Sequence, residues 1–218
     1  MYTQDLNILI VGGGRVGLRT AQTLDNRGHD ITIIERDADR SSDAADRYIA
    51  TVIEGDATRP SILQQANLDT TDVIAALTAD LGTNLSVCLT AERYGSPIRT
   101  IMRRTDTDDD NEYADLVDTT VFPERAGARV AANAADPGVR ALADMVGDIE
   151  ILVIEVTAAA PVAGRSLTDI SLPTGSLVVS GTDGNSIAGA ETTLEPESSY
   201  VIATETAVED EIIQLFRG

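Results

Sequence analysis

The sequence predicts an α/β protein, with a doubly wound parallel sheet over its first half and a second, small α+β domain after it. Three observations point there. Short runs rich in Val and Ile alternate with helix-like stretches from residue 6 to residue 122, the pattern of repeated βα units in a parallel sheet. The first run leads directly into a glycine-rich turn. From Glu150 the texture changes to strands separated by loops, with little helix between them.

The run Leu6-Asn7-Ile8-Leu9-Ile10-Val11 reads as a buried strand. Gly12-Gly13-Gly14-Arg15-Val16-Gly17 follows it and matches G-x-G-x-x-G at Gly12, Gly14 and Gly17. In that pattern the glycines permit a tight turn. Gly14 lets the backbone approach a pyrophosphate, and Gly17 lets the next helix lie close to the sheet. That helix should run from Arg15 to Arg27, bury Val16, Ala21 and Leu24, and stop at Gly28. Its first turn would offer free N–H groups and a positive dipole end to phosphate. The second strand, Asp30 to Ile34, ends in Glu35. An acidic residue at that point bonds both hydroxyls of an adenosine ribose and repels a 2′-phosphate. Arg36 beside it is the one feature that counters this exclusion.

The remaining elements of the first half come in the same rhythm. Thr51 to Ile53, Val73 to Leu77, Ile98 to Met102 and Thr119 to Phe122 read as strands. Pro60 to Asn67 reads as a short helix, proline suiting its first turn. Leu81 to Tyr94 is a helix ended by Gly95, and Asn111 to Leu116 a helical segment. The acidic run Thr105 to Asp110 reads as a solvated loop and helix start; it lacks the glycine and terminal Glu of a calcium loop at the required spacing. Residues 1–122 thus form a Rossmann-like domain.

Residues 123–147 read as two crossover helices around a hinge. Arg125 to Ala135 is alanine-rich and amphipathic, Asp136-Pro137-Gly138 breaks it, and Val139 to Val146 would be the second helix. A plain helical hairpin covering the sheet edge is the alternative. Residues 148–218 carry strands at Ile151 to Val156, Ser176 to Ser180 and Ser199 to Ala203, a short pairing around Ile187, a short helix after Gly164 and a final helix from Glu209 to Phe216.

Composition removes several chemistries. Sixteen basic residues face 36 acidic ones, for a net charge of −20, and every basic residue is arginine. Such a balance opposes nucleic-acid binding, which needs a basic surface. It suits a cytoplasm of high salt, where screening relieves self-repulsion and carboxylates keep the surface hydrated. Without lysine there is no P-loop lysine and no Schiff base. His29 and Cys88 are single, so one chain makes neither a His/Cys zinc cluster nor a disulfide. His29 belongs to a surface turn, and Cys88 to the buried side of a helix. No catalytic residue and no metal site is expected. The first residues have neither the basic start nor the apolar core of a signal peptide, so a cytoplasmic protein is expected.

These residues together resemble the TrkA/KtrA family of potassium-transport regulatory subunits, the RCK proteins, over essentially the whole chain. The resemblance rests on the Gly12 to Gly17 turn with Arg15, on Glu35, and on Glu54-Gly55-Asp56-Ala57-Thr58 after the third strand. Pro123-Glu124 and the stretch Pro161 to Ile170, which looks like the opening of a TrkA-C domain, complete it. It implies a nucleotide sensor binding NAD(H), or ATP/ADP, at the switch point of the sheet. It implies a homodimer that assembles into a ring beneath a TrkH/KtrB-like membrane channel or transporter subunit, at the inner face of the membrane. Residues 123–147 would be its dimerising crossover. Carried over by position, Gly12, Gly14, Val16 and Gly17 shape the phosphate loop and Arg15 contacts phosphate. Glu35, with Arg36 beside it, takes the ribose, and Asp56, Ala57 and Thr58 line the adenine side. Leu77 and Thr78 close over the nucleotide, Arg103 reaches phosphates, and Glu124 lies near the subunit interface. The family often has Asp where Glu35 stands, Gly-Asp where Glu197-Ser198-Ser199 stands, and Arg in place of Gly181-Thr182. An NAD-dependent oxidoreductase, or the same module serving another cation transporter, are the competing readings.

Overall fold

A computed structural model of the chain describes residues 5–94, 97–104, 113, 115–144, 149–181 and 187–218. The chain forms two units, Met1–Arg125 and Ala126–Gly218.

The first unit is built on six parallel strands: β1 (Asn7–Val11), β2 (Asp30–Glu35), β3 (Thr51–Glu54), β4 (Val73–Ala76), β5 (Arg99–Arg103) and β6 (Thr119–Val121). Their order is β3-β2-β1-β4-β5-β6, the doubly wound arrangement in which the winding reverses between β1 and β4. In β1 every residue but the first is buried, as expected of a central strand covered on both faces. One core holds Leu9, Val11, Ile74, Val87, Cys88 and Met102; the other holds Ile8, Ile10, Ala21, Ile31 and Ile33. The alternation of β1 residues between the two cores is the period of two of a strand.

Helices α1 (Arg15–Asp25), α2 (Ala38–Ala45), α3 (Pro60–Leu63) and α4 (Leu81–Ala91) flank the sheet. Gly17 and Ala21 are the buried residues of α1, with Val16 and Leu24 packed partly buried beside them. The stretch expected as one helix from Pro60 to Asn67 is α3 followed by a 3-10 turn at Gln64–Ala66, ending at a left-handed Asn67, with a second 3-10 turn beyond it at Leu68–Thr70. The segment read as α2 from the structure has no counterpart in the sequence reading. It is polar, and its visible signal is Asp37, whose carboxylate caps the Arg40 N–H at 3.0 Å. Gly95, the acidic run from Thr105 to Asp110 and half of the segment from Asn111 to Leu116 lie outside the described residues; Tyr113, Asp115 and Leu116 are in turns.

Helix α5 (Pro123–Ala135) carries the chain from the first unit into the second, and none of its residues is buried. The second helix expected from Val139 to Val146 is absent where it is described. Val139–Asp144 is instead a strand, β7, paired antiparallel with β8 (Ile149–Glu155). Val139, Ala141 and Ala143 alternate with larger residues, a period of two that a short alanine-containing run conceals. Its register shifts between Ala141 and Ala143, so Leu142 is the extra residue of a bulge. The strand also takes a partner from α5: Asn133 donates to the Ala141 carbonyl at 2.8 Å and accepts the Ala141 N–H at 2.9 Å.

The second unit is a four-stranded antiparallel sheet in the order β7-β8-β10-β9, with β9 (Ser176–Gly181) and β10 (Ser199–Glu205). Helix α6 (Glu209–Arg217) buries Ile212 and Phe216 against Leu152, Ile154, Val178 and Ile202. The pairing around Ile187 is a single bridge to Ser180, and the helix after Gly164 is a 3-10 turn at Leu167–Asp169. No helix among the described residues is long and apolar enough to cross a membrane.

Candidate functional site

The carboxyl ends of β1 to β5 open into one cavity of about 1180 Å³. Its place is the crevice beside the switch point, where open α/β sheets bind ligands. The turn after β1 forms its floor. Gly12 has φ of +105°, a conformation that glycine adopts without strain, and its N–H donates to the Ile34 carbonyl at 2.9 Å. Gly14, the extended residue just before α1, would have nothing within 4 Å of an added Cβ, so this edge of the turn faces open space. The first N–H groups of α1 have no side-chain cap and no acidic residue in the first turn. They leave a positive helix end beside the cavity.

Glu35 ties this floor to β2. Its Oε2 accepts the Gly13 N–H at 2.6 Å, its Oε1 accepts the Asp37 N–H at 2.9 Å, and the residue is buried. One carboxylate thus holds both the glycine turn and the start of α2, while still lining the cavity. On the neighbouring strand end, Gly55 makes room for Ile62, whose Cδ1 would lie 2.8 Å from an added Cβ. Asp56 accepts from the Thr58 hydroxyl at 2.7 Å and the Thr58 N–H at 3.0 Å. These two bonds, hydroxyl first, hold the Asp56 carboxyl below its usual range, assisted by Arg59 and Arg36.

Asn84 organises the opposite wall. Its side chain is fully buried in α4. It accepts from the Thr78 N–H at 3.0 Å and hydroxyl at 2.7 Å, and donates to the carbonyls of Thr78 and Arg103, both at 3.0 Å. The ends of β4 and β5 are joined by one carboxamide. Asp80 caps α4 through the Thr83 N–H at 2.7 Å. Bonding to Thr83 is the main cause that keeps the Asp80 carboxyl below its usual range. Arg103 donates to the Leu77 carbonyl at 3.5 Å and pairs with Glu124. Burial works to raise the Glu124 carboxyl, but its own backbone N–H and Arg103 outweigh it and leave it lowered.

Twelve of the residues singled out from the sequence line this cavity: Gly12, Gly14, Arg15, Val16, Glu35, Arg36, Asp56, Ala57, Leu77, Thr78, Arg103 and Glu124. Gly17 does not line it; it packs beneath the turn, against the Gly12 carbonyl. Thr58 does not line it either, being turned onto Asp56. The structure adds Arg19, Arg40, Arg47 and Asp80 to the lining, and Asn84 and Gly13 as the groups that hold it. Arg40 and Arg47 belong to α2 and the turn after it, a polar stretch with no apolar periodicity to mark it in the sequence.

The charge of this lining is opposite to that of the chain. Six of the sixteen arginines lie here, against four carboxylates, in a protein of net charge −20. A concave site with that excess draws an anionic ligand and repels a second carboxylate surface less than the rest of the molecule does. His29 is elsewhere, its Nδ1 accepting from the Leu6 N–H at 3.4 Å. Cys88 is buried, and desolvation pushes its thiol up to about 12. No histidine, lysine, tyrosine, serine or cysteine lines the cavity among the described residues.

The TrkA-N domain family model matches residues 8–123. A Trk system potassium uptake protein TrkA homolog from Pyrococcus abyssi is 33% identical over 215 residues, covering 93% of this chain and 94% of that protein. A homolog of the same name from Methanothermobacter thermautotrophicus is 33% identical over 178 residues, 79% of this chain and 80% of that one. Among solved structures, the GsuK RCK domain has the same fold, with a TM-score of 0.59 at 19% identity over 98% of this chain and 48% of that chain. GsuK bound to ADP is 30% identical, with a TM-score of 0.53 over 62% of this chain and 35% of that one. With a parallel six-stranded sheet, a glycine turn at its switch point and relatives of matching length, this chain belongs to the TrkA family, its first unit being a TrkA-N domain.

Proposed function

We propose that this chain is a regulatory subunit that senses an adenine nucleotide and thereby governs a membrane potassium-uptake system. The observation that carries the reading is the cavity itself: an arginine-rich crevice at the switch point of an otherwise acidic protein, floored by a glycine turn and an uncapped helix N-terminus. The groups present suit a dinucleotide or nucleoside diphosphate. Gly12, Gly13, Gly14 and the first N–H groups of α1 would hold phosphates, with Arg15 and Arg103 neutralising them. Glu35 would take the ribose, with Arg36 beside it, and Asp56, held by Thr58, would form the adenine side with Ala57. Leu77 and Thr78 would close over the ligand. NAD(H) is the ligand proposed first, because a carboxylate ends β2 and the strand order is that of dinucleotide-binding domains. ATP/ADP is the second, favoured by the ADP-bound GsuK relative.

Such a subunit works by population shift: a ligand that binds two arrangements unequally biases whatever the arrangement controls. The chain acts as a homodimer assembled into a ring, with α5 within the crossover at 123–147 as the dimerising connector. It sits in the cytoplasm beneath a TrkH/KtrB-like transporter subunit, and its acidity reflects a cytoplasm of high salt. Among the described residues no histidine, lysine or tyrosine lines the cavity to serve hydride transfer, and its four carboxylates are engaged by Gly13, Thr58, Thr83 and Arg103, which supports a non-enzymatic role.

Titration calorimetry of the full chain in high salt tests this. Micromolar binding of NAD(H) or of ADP and ATP, about −8 kcal/mol, is expected. Absence of binding by all of them would overturn the nucleotide reading. Reproducible hydride transfer from alcohols or hydroxy acids to NAD would overturn the regulatory one. Co-purification with a potassium transporter, rather than with an antiporter, tests the partner.

A further inference from the structure

Arg103 stands where the cavity meets the start of α5, and its backbone and side chain are held in different ways. The backbone is fixed: the Arg103 carbonyl accepts from Asn84, which is itself fully buried and committed to Thr78. The guanidinium is held by an exchangeable partner. Nη2 pairs with Glu124, Nη1 reaches the Leu77 carbonyl at 3.5 Å, and Nε is buried with no partner among the described residues. The Arg103 side chain is 14% exposed and that of Glu124 51% exposed. Both line the cavity. A mostly buried cation therefore meets a half-solvated carboxylate at the rim of a site suited to phosphates.

Carboxylate and phosphate present similar oxygens to a guanidinium fork, and phosphate brings the greater charge. We propose that Glu124 occupies on Arg103 the place of a ligand phosphate, so that nucleotide binding exchanges one anion for the other and releases the first turn of α5. The inference rests on the nucleotide reading above. Glu124 is the second residue of α5, and α5 buries no residue along its length. The tie to Arg103 is one hold on the first turn of the helix that leads into the second unit. Ligand occupancy is converted into a change of helix order by one competition, at one residue. A nucleotide phosphate that takes the Nη2 position on Arg103 displaces Glu124, so its affinity is lowered by that displacement.

The test uses the full chain in high salt, titrated with ADP and with NAD, as wild type and as Glu124→Gln. The amide has the shape of the carboxylate without its charge, and the site is half exposed, so folding should survive. Glu124→Ala, checked for an unchanged melting temperature, is the second variant. Both variants should bind ADP about three- to tenfold more tightly than wild type. Amide hydrogen exchange over the first turn of α5 should accelerate when ADP is added to wild type, and be fast and indifferent to ADP in the variants. Equal or weaker binding by both variants, or wild-type exchange that ignores bound ADP, would overturn the exchange while leaving the nucleotide reading intact. Failure of wild type and variants alike to bind any nucleotide would overturn both.

Discussion

Replacing Gly17 by alanine isolates the fit between the glycine turn and the helix that follows it. A Cβ built at Gly17 would lie 1.9 Å from the Gly12 carbonyl oxygen and 3.3 Å from Ile10 Cγ2. Real Cβ contacts essentially never fall below 3.0 Å, so α1 and the turn must separate by about 1.1 Å (3.0 less 1.9). Gly12 is poorly able to yield, since it has positive φ and is hydrogen-bonded to Ile34. The helix start must therefore retreat, taking its free N–H groups with it. Overpacking of this kind costs about 1–3 kcal/mol, which lowers the melting transition of the first unit by roughly 3–10 °C. Gly14→Ala is the control. Its Cβ would meet nothing within 4 Å, and its φ of −74° suits any residue. It should cost no more than about 0.5 kcal/mol, yet place a methyl group on the open edge of the turn. Thermal unfolding by circular dichroism, followed by calorimetry with ADP and NAD, separates the two. Gly17→Ala should lose stability and binding together, Gly14→Ala mainly binding. A Gly17→Ala protein that melts and binds as wild type does would refute this account of the turn.

Glu35→Gln should both destabilise the first unit and weaken nucleotide binding. One amide oxygen still serves Gly13, but the NH2 group then faces the Asp37 N–H, donor against donor; a loss of about 1–3 kcal/mol is expected by denaturant titration. Asn84→Leu should cost about 2–4 kcal/mol, because it strips partners from Thr78 and from the Arg103 carbonyl in a fully buried place; Asn84→Ser, if folded, should bind ADP more weakly. Asp118 accepts the Thr100 N–H at 2.7 Å and the Thr100 hydroxyl at 2.9 Å, and Thr100 is fully buried. These bonds hold the Asp118 carboxyl below its usual range. Its contribution is therefore complete above the ordinary carboxylate pKa and lost as pH falls through the lowered one. Asp118→Asn should remove that part of the acid sensitivity measured by unfolding across pH 2 to 6.

Much of the first unit was legible because its signals are local. A β-branched run, a glycine turn, a helix and a strand ending in Glu35 follow one another within thirty-odd residues, and each rests on backbone sterics or side-chain size. The positions of Glu35 and Arg103 at one cavity also followed, since strand ends in a parallel sheet share an edge. What sequence reasoning missed depends on partners far along the chain. Val139–Asp144 became a strand because β8 was there to pair with it, and its alanines left the local preference open. Helix α2 is polar, so periodicity gave no apolar face to detect.

The tertiary structure alone decided which polar groups meet. Asn84 looks like any polar residue on a helix until its amide is found between Thr78 and Arg103, 19 residues apart from the latter. Glu35 reads as a ribose ligand, while folding also makes it the clasp on Gly13 and Asp37. Arg36, Arg40 and Arg47 come from the stretch around α2 and Arg103 from the end of β5, and the order of strands in the sheet is what brings them to one cavity. Local conformation follows from steric limits that act over a few bonds, whereas charge and hydrogen-bond partners are set by which strands lie side by side, a choice that only the collective burial of the whole sheet makes.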